Sequence, residues 1–207
     1  MRKLVEKIDL LKRGKTAETV KSRLESFKSL GEKNKEEIFK ELCFCTLTAN
    51  YSAEGGIRIQ KQVNEGFVCL PQAELSERFK ELGYRFPNIR SQYICANRNK
   101  IDELYSNLKK LNDKEMREWI VENIKGIGYK EASHFLRNIG YLDYAIIDFH
   151  IVDILVKNKM IEKPKNLNKK KYLEIEDVLR KLAKATGLNL AELDLYLWYM
   201  ETGKILK

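Results

Sequence analysis

Apolar residues recur along this chain at spacings of three and four, while alternation at two is scarce, so helices are the regular structure its pattern supports. Only Pro71, Pro87 and Pro164 interrupt 207 residues, which leaves long stretches free of the residue that most reliably breaks a helix. The expected class is all-α. Leu4 to Leu30 reads as one or two amphipathic helices broken near Gly14, and Lys35 to Thr46 as a buried helix ended by Thr48 to Gly56. Further helices are expected over Gly56 to Val68, Pro71 to Leu82 and Ser91 to Leu111, with a turn at Gly83 to Pro87. Lys163 to Lys171 reads as a basic loop, and Asn189-x-x-Glu192 as a capping box for a last helix carrying Leu190, Leu193, Leu197 and Met200.

Composition narrows the partners more than the chemistry. Lys and Arg number 39 against 30 Asp and Glu, a formal charge of +9, and 43% of residues are hydrophobic. Such a chain can bury a core and attracts polyanions, through release of condensed counterions, but a solvated lysine-rich surface has the same arithmetic. No apolar run approaches the roughly 18 residues of a membrane span, and the charged N-terminus MRKLVEKIDLLKRGK lacks the apolar core of a secretory signal. An intracellular, cytoplasmic protein is expected. Cys43, Cys45, Cys69 and Cys95 form no C-x-x-C pair and no close-spaced cluster, so neither a zinc site nor an iron–sulfur centre is expected, and all four read as small core hydrophobes. With only His134 and His150 besides, no metal site is expected.

The stretch from Asp113 to Gly140 is the most informative. Met116, Trp119, Ile120 and Ile124 form a helical stripe behind a candidate cap at Asn112 or Asp113. The helix must stop at Lys125-Gly126-Ile127-Gly128, and a second one follows with Ala132, Phe135, Leu136 and Ile139 on one face. Both glycines are expected to admit positive φ, and the exposed N–H groups at the second helix's start make an anion site. On that helix Lys130, His134 and Arg137 fall within about 60° of one another, opposite the apolar face. Asp148 follows Tyr144-Ala145-Ile146-Ile147 and opens another helix, the place of an N-cap carboxylate. An amine beside a bound phosphate and a carboxylate at a helix mouth suffice for imine chemistry at a sugar C1′. A solvated lysine and a plain helix cap are the alternatives.

Together these residues resemble a known family. Ile124-Lys125-Gly126-Ile127-Gly128-Tyr129-Lys130-Glu131-Ala132, followed by Ile146-Ile147-Asp148-Phe149-His150, is similar to the helix–hairpin–helix and Gly/Pro-Asp signature of base-excision DNA glycosylases, with Tyr144 to Ile147 replacing the usual Gly/Pro-rich turn. A lysine at the position of Lys130 marks bifunctional glycosylase/lyase members. Missing iron–sulfur cysteines, chain length, Leu82-Gly83-Tyr84-Arg85-Phe86 and a final Lys207 resemble the archaeal-type 8-oxoguanine DNA glycosylases.

The resemblance implies two helical domains with a DNA-binding cleft between them, one over 27–139 with the hairpin and the other from 1–26 plus 140–207. It implies a monomer that binds double-stranded DNA containing 8-oxoguanine, everts the damaged nucleotide and attacks C1′ with Lys130, Asp148 favouring departure of the base. The alternatives are a related glycosylase for oxidised pyrimidines and a non-catalytic DNA-binding hairpin protein. Lys125, Gly126, Ile127 and Gly128 would grip a backbone phosphate, with a monovalent cation at the hairpin carbonyls and no other cofactor. Asn50 occupies the place where the family inserts a polar side chain opposite the orphaned cytosine, or else it serves a turn. Asp194 and Trp198, one helical turn apart, could accept from a purine's N1–H and N2–H and stack on its face; a surface Asp and a half-buried core Trp are the alternatives. Phe86 is a candidate second stacking face or a core residue. His134 lines the pocket or covers apolar surface, and His150 meets a phosphate or steadies its helix. Lys207, with an ammonium and a terminal carboxylate, would read the N7–H that only the oxidised base carries.

Overall fold

A computed structural model describes residues 1–207 and is built from helices, with no strand. The α-helices in chain order are α1 (Arg2–Lys12), α2 (Lys15–Gly31), α3 (Lys35–Thr48), α4 (Ala53–Val63), α5 (Gly66–Cys69), α6 (Gln72–Glu81) and α7 (Pro87–Asn97). After a 3-10 turn (Arg98–Lys100) come α8 (Ile101–Lys110), α9 (Asp113–Asn123), α10 (Tyr129–Asn138), α11 (Phe149–Lys157), α12 (Lys169–Thr186) and α13 (Leu190–Thr202). The chain divides into two compact units, one of residues 1–29 and 136–207, the other of residues 30–135. These boundaries lie a few residues from 26/27 and 139/140, and the second falls inside α10.

The 30–135 unit is organised around α3, which is buried without a break from Ile38 to Thr48 and packs against α4, α5, α7 and α8. A helix apolar nearly all round must be enclosed. Its two buried charges are answered: Lys40 Nζ donates to Glu65 and Asn64, and Glu41 Oε2 accepts from Gln60 Nε2. The expected helix over Gly56 to Val68 is two helices, starting earlier at Ala53 and broken where Asn64 adopts a φ of 43°. The expected helix from Ser91 starts instead at Pro87, a residue well suited to a first turn, and tightens into the 3-10 turn before α8.

In the other unit α1 packs on α12 and α13, and α13 on α11. Val20 and Phe27 of α2 form a core cluster with Leu195 and Tyr196, onto which Ile205 folds. Residues 172–186, to which the periodicity assigns no element, belong to α12, which begins inside the expected basic loop. Three consecutive lysines oppose the dipole at its first turn. Asn168 offsets them as N-cap, accepting from the Lys171 N–H at 3.0 Å. Asn34, Ser52, Asn112, Asp148 and Asn189 cap five other helices in the same way, with complete capping boxes at Asn112/Glu115 and Asn189/Glu192. Cys43 and Cys45 are buried as expected, whereas Cys95 is half-buried and Cys69, at the end of α5, is exposed.

Candidate active site

The hairpin joins α9 to α10. Gly126 has a φ of +81°, and a Cβ there would lie 2.3 Å from the Tyr93 ring, so only glycine fits both the backbone and the space. Gly128 differs: it needs no positive φ, and its carbonyl accepts from the Ala132 N–H at 2.9 Å to start α10. The expectation of two left-handed glycines therefore holds for one. Asn97, buried on α7 and without a place in the sequence reading, clamps the hairpin by donating to the Lys125 carbonyl (3.0 Å) and accepting from its N–H (2.9 Å). The first-turn N–H groups of α10 follow Ile127 and Gly128 directly.

Lys130 is the second residue of α10, and its side chain is 27% exposed. Its Nζ donates to Glu131 Oε1 at 3.3 Å, a neighbour that helical spacing gives no reason to single out. The face carrying His134 and Arg137 is not a solvent face, because both are buried along with Ser133 and Asn138. His134 packs edge-on against Phe44 with ring centroids 5.6 Å apart. Helix α10 is thus enclosed around most of its circumference, with Lys130 toward its open end.

Asn50 sits exposed in the α3–α4 connection with a φ of 59°, a conformation that asparagine tolerates better than most residues. Phe86, half-buried at the N-cap of α7, has the Arg85 and Arg90 guanidiniums 5.0 and 5.9 Å from its ring centre. Arg90 also donates to the Ala49 carbonyl at 3.2 Å, so one side chain braces both Phe86 and the residue before Asn50.

In the 1–29 and 136–207 unit, Asp148 caps α11, its Oδ1 accepting from the Ile151 N–H at 3.0 Å. The His150 ring lies 3.9 Å from that of Phe149 and 5.2 Å from Trp198, edge-on to the indole. Phe149 is 68% exposed, an unusual state for so large an apolar side chain. Asp194 is no surface residue: its side chain is 12% exposed and its Oδ2 accepts from Arg137, itself 4% exposed, at 3.1 Å. It lines a small, otherwise apolar cavity with Ala145, Ile146, Ile151, Leu190, Leu193 and Leu197 among the walls. Burial pushes its carboxyl up to about 6; Arg137 opposes the rise and the Asp148 charge adds to it. Asp148, His150, Asp194 and Trp198 are therefore gathered in one unit, whereas Lys125 to Gly128, Lys130, Asn50, Phe86 and His134 belong to the other. Lys207 is half-buried rather than frayed, beyond a tail that Gly203 turns and Ile205 anchors.

No group of three or more His, Cys, Asp or Glu side chains is placed to hold a metal ion, and no helix is long and apolar enough to cross a membrane.

Residues 20–188 match the family described as 8-oxoguanine DNA glycosylase (Ogg-HhH). The chain is 51% identical over 210 aligned positions, 99% of each sequence, to the 8-oxoguanine DNA glycosylase/AP lyase of Methanocaldococcus jannaschii. It is 48% identical to the Korarchaeum cryptofilum protein of the same name, over 99% of this chain and 98% of that one. Among solved structures, that of the M. jannaschii enzyme in complex with a 15mer DNA containing 8-oxoguanine superposes with a TM-score of 0.96, at 52% identity and 99% coverage of both chains.

Proposed function

The chain belongs to the 8-oxoguanine DNA glycosylase family, and we propose on that footing that it removes 8-oxoguanine from duplex DNA and then cuts the strand, as a bifunctional glycosylase and AP lyase. The observation that carries the reading is the position of Lys130, an amine in the first turn of the helix that the hairpin opens. A phosphate held by the N–H groups of that turn and of the hairpin would bring the adjoining sugar to the amine. The base is unreachable in the stack, so the nucleotide turns out first.

Lys130 Nζ, as the neutral amine, attacks C1′ while the C1′–N9 bond breaks and its electron pair leaves with the base, which takes up a proton. Asp148 stabilises the positive charge that grows on the sugar as the bond lengthens. Opening of the sugar ring leaves an imine between Lys130 and C1′. Loss of a proton from C2′ then expels the 3′ phosphate and cuts the strand. Glu131, whose Oε1 lies 3.3 Å from Nζ, would take up a proton from the amine.

Trp198 and Phe86 would stack on the two faces of the everted base, while Asp194 accepts from its N1–H and N2–H and Lys207 reads N7–H. His134 would wall that pocket, Asn50 fill the vacated stack and His150 meet a phosphate. A monovalent cation on hairpin carbonyl oxygens would add positive charge beside the gripped phosphate; the Lys125 and Gly128 carbonyls already accept from Asn97 and Ala132. Action on chromosomal DNA goes with an intracellular monomer.

Borohydride trapping on a duplex containing 8-oxoguanine opposite cytosine tests the reading. A covalent adduct is expected, and Lys130→Gln should abolish it. Asp148→Asn should fold and bind DNA yet excise on the order of a hundredfold more slowly. No adduct with the wild-type protein would sink the proposal.

A further inference from the structure

The approach to Asp148 has no regular structure, yet Tyr144 to Ile147 is buried throughout. What holds it is one face of α12. The Ile147 N–H donates to the Tyr172 hydroxyl (3.2 Å), and that hydroxyl donates to the Ala145 carbonyl (2.7 Å). The Ala145 N–H donates to Glu176 Oε2 (3.1 Å). Arg180 donates to the Asp143 carbonyl (3.0 Å), pairs with the Asp143 carboxylate, and reaches Glu176 Oε1 at 3.2 Å. Tyr172, Glu176 and Arg180 are spaced four apart along the helix, and they engage residues 147, 145 and 143, spaced two apart along the loop.

The spacing has a physical reason. Four residues of helix advance about 6 Å and two of extended chain about 6.6 Å. A four-residue stripe can therefore register against every second residue of an extended segment, which runs antiparallel to it here. The Tyr172 and Glu176 side chains are almost wholly buried, and their polar atoms satisfy backbone groups that no sheet or helix satisfies. The last rung lies one residue before Asp148.

We propose that Tyr172, Glu176 and Arg180 form a positioning ladder for Asp148, setting where its carboxylate stands when the base leaves. None of the three touches substrate; they act through the backbone of residues 143–147. The proposal rests on the assignment of Asp148 to base departure made above. It accounts for a loop without the glycine and proline that could stiffen it from within: the stiffness comes from α12 instead.

Two substrates separate positioning from mere support. A duplex carrying 8-oxoguanine needs the base expelled, whereas a preformed abasic site needs only the Lys130 imine and elimination. Tyr172→Phe should slow single-turnover excision about 10- to 100-fold, the size expected when a reacting group moves on the order of 1 Å. DNA affinity and cleavage of the abasic strand should change by less than about threefold. Glu176→Gln keeps an acceptor for the Ala145 N–H and should excise faster than Glu176→Leu; this pair preserves the test if Tyr172→Phe fails to fold. Equal losses on the two substrates, or no loss on either, would overturn the ladder. Asp148→Asn, measured alongside, keeps the two ideas apart: full excision in that variant removes Asp148 from the mechanism, and slow excision there beside normal rates in the α12 variants removes the ladder alone.

Discussion

The supports of Lys130 and Asp148 make an instructive contrast. Lys130 is placed mostly from close at hand, by a glycine at a φ of +81° and a carbonyl that starts its helix, with a single distant clamp from Asn97 on α7. Asp148 follows a loop held from a distance, by side chains of a helix that begins well beyond it in sequence. The first support is mostly backbone and allows few substitutions; the second is mostly side chain, and its members can be altered singly without forcing the chain. Damage at the hairpin should reach both steps of the reaction, since phosphate and amine share it. Damage at α12 should reach only the departure of the base.

The variant that should strain this contrast most is Asn97→Ala, which leaves two backbone groups of Lys125 without their partner inside the protein. A loss of about 2–4 kcal/mol in a denaturant titration is expected, with excision and abasic cleavage falling together. A selective loss of excision would erase the distinction. Gly126→Ala comes next, at about 1–3 kcal/mol, because the methyl meets Tyr93 in a left-handed conformation. Gly128→Ala should stay within about 0.5 kcal/mol, its nearest neighbour being the flexible end of Glu131 at 3.5 Å. Equal effects from the two substitutions would deny that a single glycine shapes the hairpin.

On the other side of the contrast, Asp194 should give excision an acid limb. To accept from N1–H and N2–H through both its oxygens the carboxyl must be ionised, and this one, buried beside Arg137 and Asp148, is protonated below about 6. The pH profile of single-turnover excision should fall about tenfold per pH unit below that point. Cleavage of an abasic strand, with no base to recognise, should lack the step, and its presence on both substrates would detach Asp194 from recognition. Asn112→Ala removes the cap of α9 at a cost of about 1 kcal/mol and should leave the ratio of excision to abasic cleavage unchanged.

What could be read from residues alone divides by distance along the chain. The hairpin announces itself in four consecutive positions, Lys125 to Gly128, and Asp148 in its place before a helical pattern, because caps and turns are chemistry between near neighbours. Asn97 and Arg90 left no such mark, since their partners lie far off in sequence and an asparagine or arginine on a helix usually faces water. Helix α12 was hidden twice: Lys169 to Lys171 at its start resemble a solvated loop, and Glu176 interrupts the apolar face. That glutamate looks out of place until the unpaired amide it serves is known. The wheel of α10 misleads for a related reason, because Arg137 and His134 are polar residues buried with partners, and periodicity counts them as surface.

The match between α12 and the loop beneath it behaves like a vernier. Eight residues of helix span about 12 Å and four of extended chain about 13 Å, so the two scales drift by about 1 Å across the three rungs. Hydrogen bonds tolerate that drift, and one more rung would strain their geometry. A clamp of this kind has a natural length. Inserting or deleting one residue between Asp143 and Ile147 would put the rungs out of phase, turning the N–H and C=O groups at one end of the segment away from α12. The segment can vary in side chains, and hardly at all in length.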